Sequence, residues 1–323
     1  MSIVINKMKL QKLKIQYENK GFFGLLFFVL QKIVMHLPFV GRIIHAYILS
    51  YLRRHYDYVI QRYKNTPPPN TPNCLPGYEG IIWSMWWQGE ENCPKVIQLC
   101  RASLRRHCGN HKVIIITKDN YKDYVTLPEY IISKVNAGYI SLTHLSDIIR
   151  AELLVKYGGL WIDSTVFVAD DIPDEAFSLE YYTIRYFEKP VYDWYTISFY
   201  RWASFCFAAK NPGSLLFSFM RDMFYEYLKD HKKLMHYLLI DYFIAVAFDE
   251  FPEFRKAWEN IPVNNSHCLE LPLHKEWDAE KYAELRQTTR LFKTTYKVKY
   301  PVKTDSGSET FYGLLLAEYG MTE

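Results

Sequence analysis

The 323-residue chain has little of what marks secreted, metal-stapled or membrane-spanning proteins. Its six cysteines (Cys74, Cys93, Cys100, Cys108, Cys206 and Cys268) form no CxxC pair, and no histidine is spaced to complete a zinc site. Lys7, Lys9, Lys12 and Lys14 open the chain, and no small-residue cleavage site closes an apolar core after them. On that pattern no signal peptide is expected, and the cysteines are expected to be free thiols of a reducing cytoplasm. The most apolar run, residues 22–30 (FFGLLFFVL), falls well short of the roughly 20 residues a helix needs to cross a bilayer. Internal repeats are absent, and glycine is sparse at 14 residues. A hydrophobic fraction of 49% against 23% charged residues excludes a mainly disordered chain and allows a sizeable core.

What is abundant is aromatic surface and an uneven charge. Tyr, Phe and Trp make up 17% of the chain, enough for a bulky core and for stacking on sugars or bases. Net charge is only +4, yet residues 1–64 hold 11 Lys and Arg against 2 acids, a net of +9, so the remainder carries −5. A basic arm on an acidic body points to an anionic surface. Its basic residues are interleaved with Ile33, Val34, Leu37, Phe39, Ile43 and Ile44, which predicts a helical segment lying in the headgroup region; the alternative is a helical extension packed on the body. Nucleic acid is the weaker partner, because no reading motif accompanies the charge. Residues 65–77 contain five prolines, so a boundary is expected there. The expected organisation is a basic arm over 1–64, a linker over 65–77 and one domain over 78–323.

In that domain, buried strands are predicted over residues 80–87, 112–117 and 160–168. Helices are predicted over 94–106, 143–157, 214–229 and 234–248, with Ser141 or Thr143 capping the second and Gly158 stopping it. Further short strands are expected at 183–186 and 205–208, and an irregular chain from residue 262 onward. Alternating strands and helices define an α/β fold with a mainly parallel sheet, whose ligand sits beyond the carboxyl ends of the strands.

The stretch 145–168, LSDIIRAELLVKYGGLWIDSTVFV, concentrates the chemistry. At about 100° per residue, Ser146, Asp147 and Arg150 share one side of the helix, while Glu152 and Lys156 form an i,i+4 pair on the other, expected to face solvent. Charges turned towards the body must be paired or bind something. A strand then delivers Asp163 beside them. Serine, two carboxylates and an arginine make a polar site able to hold sugar hydroxyls and a diphosphate with a divalent metal.

The pattern SDxxRxxxLxxxGGxWxD resembles the core of the capsular polysaccharide synthesis proteins, relatives of glycosyltransferase family 32. The upstream IIWSMWWQG resembles that family's first strand. The resemblance implies a GT-A nucleotide-sugar-binding sheet flanked by helices and a glycosyl transfer that retains anomeric configuration. It implies that Trp87 stacks on the donor base, that Ser146 sits near the nucleotide, and that Asp147 and Arg150 hold the sugar hydroxyls. Asp163 would be the first acid of a DxD motif, near ribose, sugar and metal. A UDP-sugar is expected ahead of a GDP-sugar, with an oligosaccharide or lipid-linked glycan as acceptor at the inner face of the cell membrane. The implied cofactor is Mn²⁺ or Mg²⁺ held by Asp163 and Thr165. Thr165 stands where the second acid belongs, and a hydroxyl is a much poorer ligand for a hard cation. The metal is then held by Asp163 and diphosphate oxygens with help from a C-terminal residue, or is dispensable. Asp170 and Asp171 lie about 20 Å further if the chain stays extended.

Further candidates are Asp241, alone in the apolar HYLLIDYFIAVAF, either a paired core acid or a group near the acceptor or the sugar face. Lys293, Lys297 and Lys299 are candidates to neutralise the leaving nucleotide, Lys297 foremost, with the backbone of Ser306, Gly307 and Ser308. His267 and His274 are possible metal ligands. A non-catalytic, degenerate transferase or glycan-binding component is the competing expectation, motivated by the missing second acid.

Overall fold

The computed structural model describes residues 38–66, 75–186, 196–265 and 272–322. In chain order the strands are β1 (Ile82–Met85), β2 (Val113–Ile116), β3 (Gly159–Ile162), β4 (Val166–Val168), β5 (Tyr181–Thr183), β6 (Cys206–Ala209) and β7 (Leu291–Lys293). The helices used below are α1 (Pro38–His55), α2 (Asp57–Asn65), α3 (Lys95–Arg106), α4 (Glu129–Asn136), α5 (Leu142–Lys156), α6 (Leu215–Asp230), α7 (Leu239–Glu250), α8 (Pro252–Glu259), α9 (Ala279–Thr288) and α10 (Phe311–Glu318).

Five strands form a sheet in the order β2-β1-β3-β6-β5. β1 runs parallel to both β2 and β3, and β6 is antiparallel to β3 and β5. The result is a mixed α/β fold around a mostly parallel sheet flanked by helices. β1, β3 and β6 are buried at every position, as expected for strands covered on both faces. Their continuous apolar runs (IWSM, GLWI, CFAA) are the reason.

α5 begins as predicted: the Ser141 hydroxyl caps it by accepting from the His144 amide at 3.3 Å. It ends at Tyr157 and turns through Gly158 and Gly159, both at positive φ (68° and 88°). A Cβ on Gly159 would lie 2.3 Å from the Ile81 carbonyl oxygen, so the backbones of β3 and the β1 entry approach too closely for any side chain. The Trp83 indole fastens this turn, donating to the Gly158 carbonyl at 3.0 Å.

Three expectations change. The strand predicted over 160–168 is two strands. The chain leaves β3 at Asp163, turns through Ser164 and Thr165 (Val166 N to Asp163 O, 2.9 Å) and enters β4, which pairs antiparallel with β7 in a separate two-stranded sheet. Both halves are apolar, so composition alone runs them together. The region after residue 262 is not irregular: α9, β7 and α10 lie in it. Glu152 does not face solvent: it accepts a hydrogen bond from Tyr225 of α6 and lies 3.9 Å from Arg221. The i,i+4 pairing rule assumes an exposed face, and α6 covers this one.

The described part of the N-terminal arm belongs to the core. Ile48, Leu52, Tyr56, Val59, Ile60 and Tyr63, spaced three and four apart, are buried in the main apolar cluster. At about 1.5–3 kcal/mol per fully buried apolar side chain, this face holds α1 and α2 on the body. The basic residues meet acids of α6 and α7: Arg53 pairs with Asp249 and with Glu250 (3.0 Å), Lys64 with Glu250 (2.5 Å) and Arg62 with Asp222 (3.4 Å). Of the two expectations for the arm, the helical extension packed on the body describes the buried face of residues 38–64. Residues 1–37 and most of the proline-rich linker lie outside the described residues. No helix among the described residues is long and apolar enough to cross a membrane.

Candidate active site

A cleft of about 250 Å³ opens at the carboxyl end of the parallel strands. Its floor is Trp161, Asp163, Ser164 and Thr165 at the end of β3. One wall is Met85, Trp86, Trp87 and Gln88 after β1. A second wall is Leu142, Thr143 and Ser146 of α5 with Tyr237. The third is residues 293–297, which follow from β7.

Asp163 is the centre. The β3 pleat puts it on the same face as Trp161 two residues earlier. The Trp161 indole donates to Asp163 Oδ1 at 2.8 Å, and Arg150 Nη2 donates to the same oxygen at 2.9 Å. Lys293 Nζ donates to Oδ2 at 2.6 Å. Burial alone would raise the Asp163 carboxyl, but Lys293 and Arg150 outweigh it and hold it below the usual carboxylate range. A quarter of the side chain remains exposed, so the carboxylate faces the cleft.

Behind Asp163 sits Arg150, 3% exposed at its side chain. It lies over the Trp161 ring at 4.8 Å and donates to the Ser204 carbonyl. Asp147, one helical turn back, is 3.4 Å from the same guanidinium. Burial pushes the Asp147 carboxyl up to about 7, because Arg150 spends its best contacts on Asp163 and Ser204, and Asp163 and Asp241 add negative potential. Asp241 accepts from the Trp202 indole at 2.9 Å, and burial raises it to about 6.

Of the residues singled out from the sequence, Trp87, Ser146, Asp163, Thr165 and Lys297 line the cleft. Asp147 and Arg150 do not. They were expected to touch donor hydroxyls, and the structure seats them beneath Asp163 and Trp161, where the helix face meets the sheet. Asp241 is likewise a buried, paired core acid outside the lining. Lys297 is exposed on the third wall. Lys299, the turn at Ser306, Gly307 and Ser308, and the exposed His274 stand outside the cleft, and His267 lies outside the described residues.

Sequence reasoning gave no special weight to Lys293 over its neighbours and missed Trp161 and Tyr237. Trp161 was legible as the residue two before Asp163 on one strand. Lys293 is fixed by the β4–β7 ladder, opposite Val166. Thr294 secures that ladder to the floor, its amide and hydroxyl donating to the Thr165 carbonyl at 2.7 and 2.9 Å. No local signal reveals a pairing across that span of sequence.

The residues present do not fit a divalent ion. Asp163 is the one carboxylate among the lining residues, both its oxygens already receive charged donors, and Thr165 offers a hydroxyl. Mn²⁺ or Mg²⁺ takes six oxygens, from one or two carboxylates with substrate phosphates and waters, and here the one carboxylate would have to give up its bound cations to serve. The C-terminal residue that reaches Asp163 from the third wall is a lysine, Lys293. Among the described residues, three potential metal ligands lie within 4.8 Å of one another at His107, Asp170 and Asp171. They sit beyond the far end of β4, and Arg286 and Arg290 approach them.

The chain belongs to the capsular polysaccharide synthesis protein family, whose pattern matches residues 40–315. Among solved structures it is similar to "PaToxG Glycosyltransferase", at 13% sequence identity and a TM-score of 0.36, over 69% of this chain and 83% of that one. No curated protein matches it.

Proposed function

We propose that the chain is a nucleotide-sugar-dependent glycosyltransferase of GT-A type that extends a glycan in capsular or exopolysaccharide synthesis. Family membership supports the setting. The observation that carries the chemistry is Asp163, ionised and aimed into a cleft at the strand ends between an aromatic wall and a polar one. In this reading Trp87 stacks on the base, Ser146 and Thr143 meet ribose or sugar hydroxyls, and Asp163 accepts from the sugar. Arg150 and Asp147 are positioning residues that set the Asp163 rotamer from behind. The anomeric carbon–oxygen bond breaks, its electron pair stays on the phosphate oxygen, and the acceptor hydroxyl oxygen bonds the carbon and passes its proton to that departing phosphate oxygen. The sequence resemblance supports retention of configuration, a UDP-sugar donor and a lipid-linked acceptor. The lysine-rich first 37 residues support a peripheral position at the inner face of the membrane.

The test is a panel of UDP-, GDP- and other nucleotide sugars with the full chain, followed by thermal shift and by release of nucleotide. A ligand at 100 times its dissociation constant adds about 2.7 kcal/mol. A shift with one donor that vanishes in Asp163→Asn supports the reading. A folded protein that neither binds nor turns over any nucleotide sugar, with or without metal, is instead a non-catalytic member of the family.

A further inference from the structure

We propose that this cleft binds the diphosphate of its donor without a divalent ion, and that the ammonium of Lys293, seconded by Lys297, supplies the positive charge. The inference rests on the glycosyltransferase reading above.

Four observations carry it. First, the charge balance of the lining favours an anion: Lys293 and Lys297 stand against Asp163 alone. Second, the Asp163 oxygens are engaged by Arg150 (2.9 Å), Trp161 (2.8 Å) and Lys293 (2.6 Å), so a metal ion at carboxylate distance would have to displace one cation and sit against another. Third, the place of the second acid is taken by Thr165, whose carbonyl is spent on two hydrogen bonds from Thr294. Fourth, Lys293 is held by architecture. It lies in β7, paired with Val166 of β4, and its ammonium stands 5.0 Å from the Phe205 ring. Its side chain is 22% exposed, so the ammonium is partly desolvated yet open to the cleft.

An ammonium is a point charge with three donors. It can keep Asp163 Oδ2 and still donate to phosphate oxygens. Two lysines match the two negative charges of a sugar–nucleoside diphosphate. Lys297, exposed at the rim, meets the ligand on entry. The arrangement also explains why the floor needs Arg150: one cation beneath holds Asp163 ionised while the other, above, serves the ligand.

The test is isothermal titration of UDP, GDP and the parent nucleosides into the full chain, with excess EDTA or with Mn²⁺. Wild type is compared with Lys293→Gln, Lys293→Arg, Lys297→Gln and the charge-paired double variant Lys293→Gln/Asp163→Asn. The diphosphate is expected to bind equally well in chelator and in metal. Lys293→Gln should weaken diphosphate binding by about tenfold to a hundredfold, the loss of one charge-assisted hydrogen bond, and Lys293→Arg should restore most of it. Lys297→Gln, at an exposed position, should weaken it less. Nucleoside affinity should not change. The double variant leaves no unpaired carboxylate, and if the single variant folds poorly its diphosphate affinity is read against that of Asp163→Asn alone, which isolates the loss due to Lys293. Binding seen only with Mn²⁺, or diphosphate affinity untouched in both Lys293 variants, overturns the proposal and leaves the transferase reading intact. Binding of no nucleotide under either condition overturns both.

Discussion

Arg150→Met is the perturbation that most directly probes how the site is held. The substitution keeps an unbranched chain but removes the guanidinium that bridges Asp163 (2.9 Å) and Asp147 (3.4 Å), donates to the Ser204 carbonyl and lies over Trp161 at 4.8 Å. Removing one partner of a buried ion pair costs about 3–5 kcal/mol, because the remaining charge is left desolvated. For 323 residues the unfolding entropy is about 0.7 kcal/mol/K, so the midpoint should fall by about 4–7 °C. Asp147→Asn should behave differently. Burial has raised that carboxyl to about 7, so at neutral pH its charge is already a cost to the native state, and the substitution should stabilise the fold rather than weaken it. Differential scanning calorimetry at pH 7 measures both. Adding Asp163→Asn to Arg150→Met should recover part of the loss, since the uncompensated charge is then gone, and the cycle would be non-additive. An Arg150→Met protein that melts within about 1 °C of wild type would refute the assignment of Arg150 as the anchor of Asp163. So would an Asp147→Asn protein that loses as much.

Three further outcomes follow from the same structure. The Asp241 carboxyl is raised to about 6, so the native state holds its proton more tightly than the unfolded chain. The resulting penalty is absent below about pH 4, grows between pH 4 and 6, and is complete above that. Asp241→Asn keeps an acceptor for the Trp202 indole and should therefore stabilise the fold above pH 6, by up to about 3 kcal/mol, and leave it unchanged near pH 4; thermal melts across pH decide, and a gain independent of pH would contradict the cause given. Gly159→Ala forces a Cβ to within 2.3 Å of the Ile81 carbonyl at φ 88°, and should cost roughly 2–4 kcal/mol in urea unfolding. Leu52→Ala should cost about 2–5 kcal/mol in the same assay, because Leu52 is fully buried between the N-terminal helices and the body; a change below about 0.5 kcal/mol would mean that α1 is not part of the cooperative unit.

Much of the fold is written locally in the chain. The Ser141 cap, the double glycine, the apolar run of β1 and the β-branched run of β2 are short-range signals, and the structure follows them. Asp163 could be singled out because a carboxylate ending an apolar strand must be paired. What escaped the sequence is long-range. The break between β3 and β4 depends on which strand each half pairs with. The burial of Glu152 depends on α6, and the basic arm could be read as membrane-seeking because the acids it meets on α6 and α7 lie more than 150 residues away. Asp147 and Arg150 were correctly turned inward by helical periodicity, yet periodicity gives a direction and not a depth, and they stop short of the cleft.

The β4–β7 pairing also carries a consequence for when the protein becomes competent. The strands that make the sheet, the helix bearing Arg150 and the turn bearing Asp163 are all synthesised before residue 291 leaves the ribosome. Val166 must wait for Lys293. During that interval Asp163 has its lower cation and not its upper one, and the third wall of the cleft does not exist. A nascent chain can therefore assemble much of its sheet from the N-terminal side, as domains generally do, before the cleft is complete. The final segment is thus the piece that completes the cleft: its third wall and the Lys293 contact to Asp163 form only when β7 docks on β4.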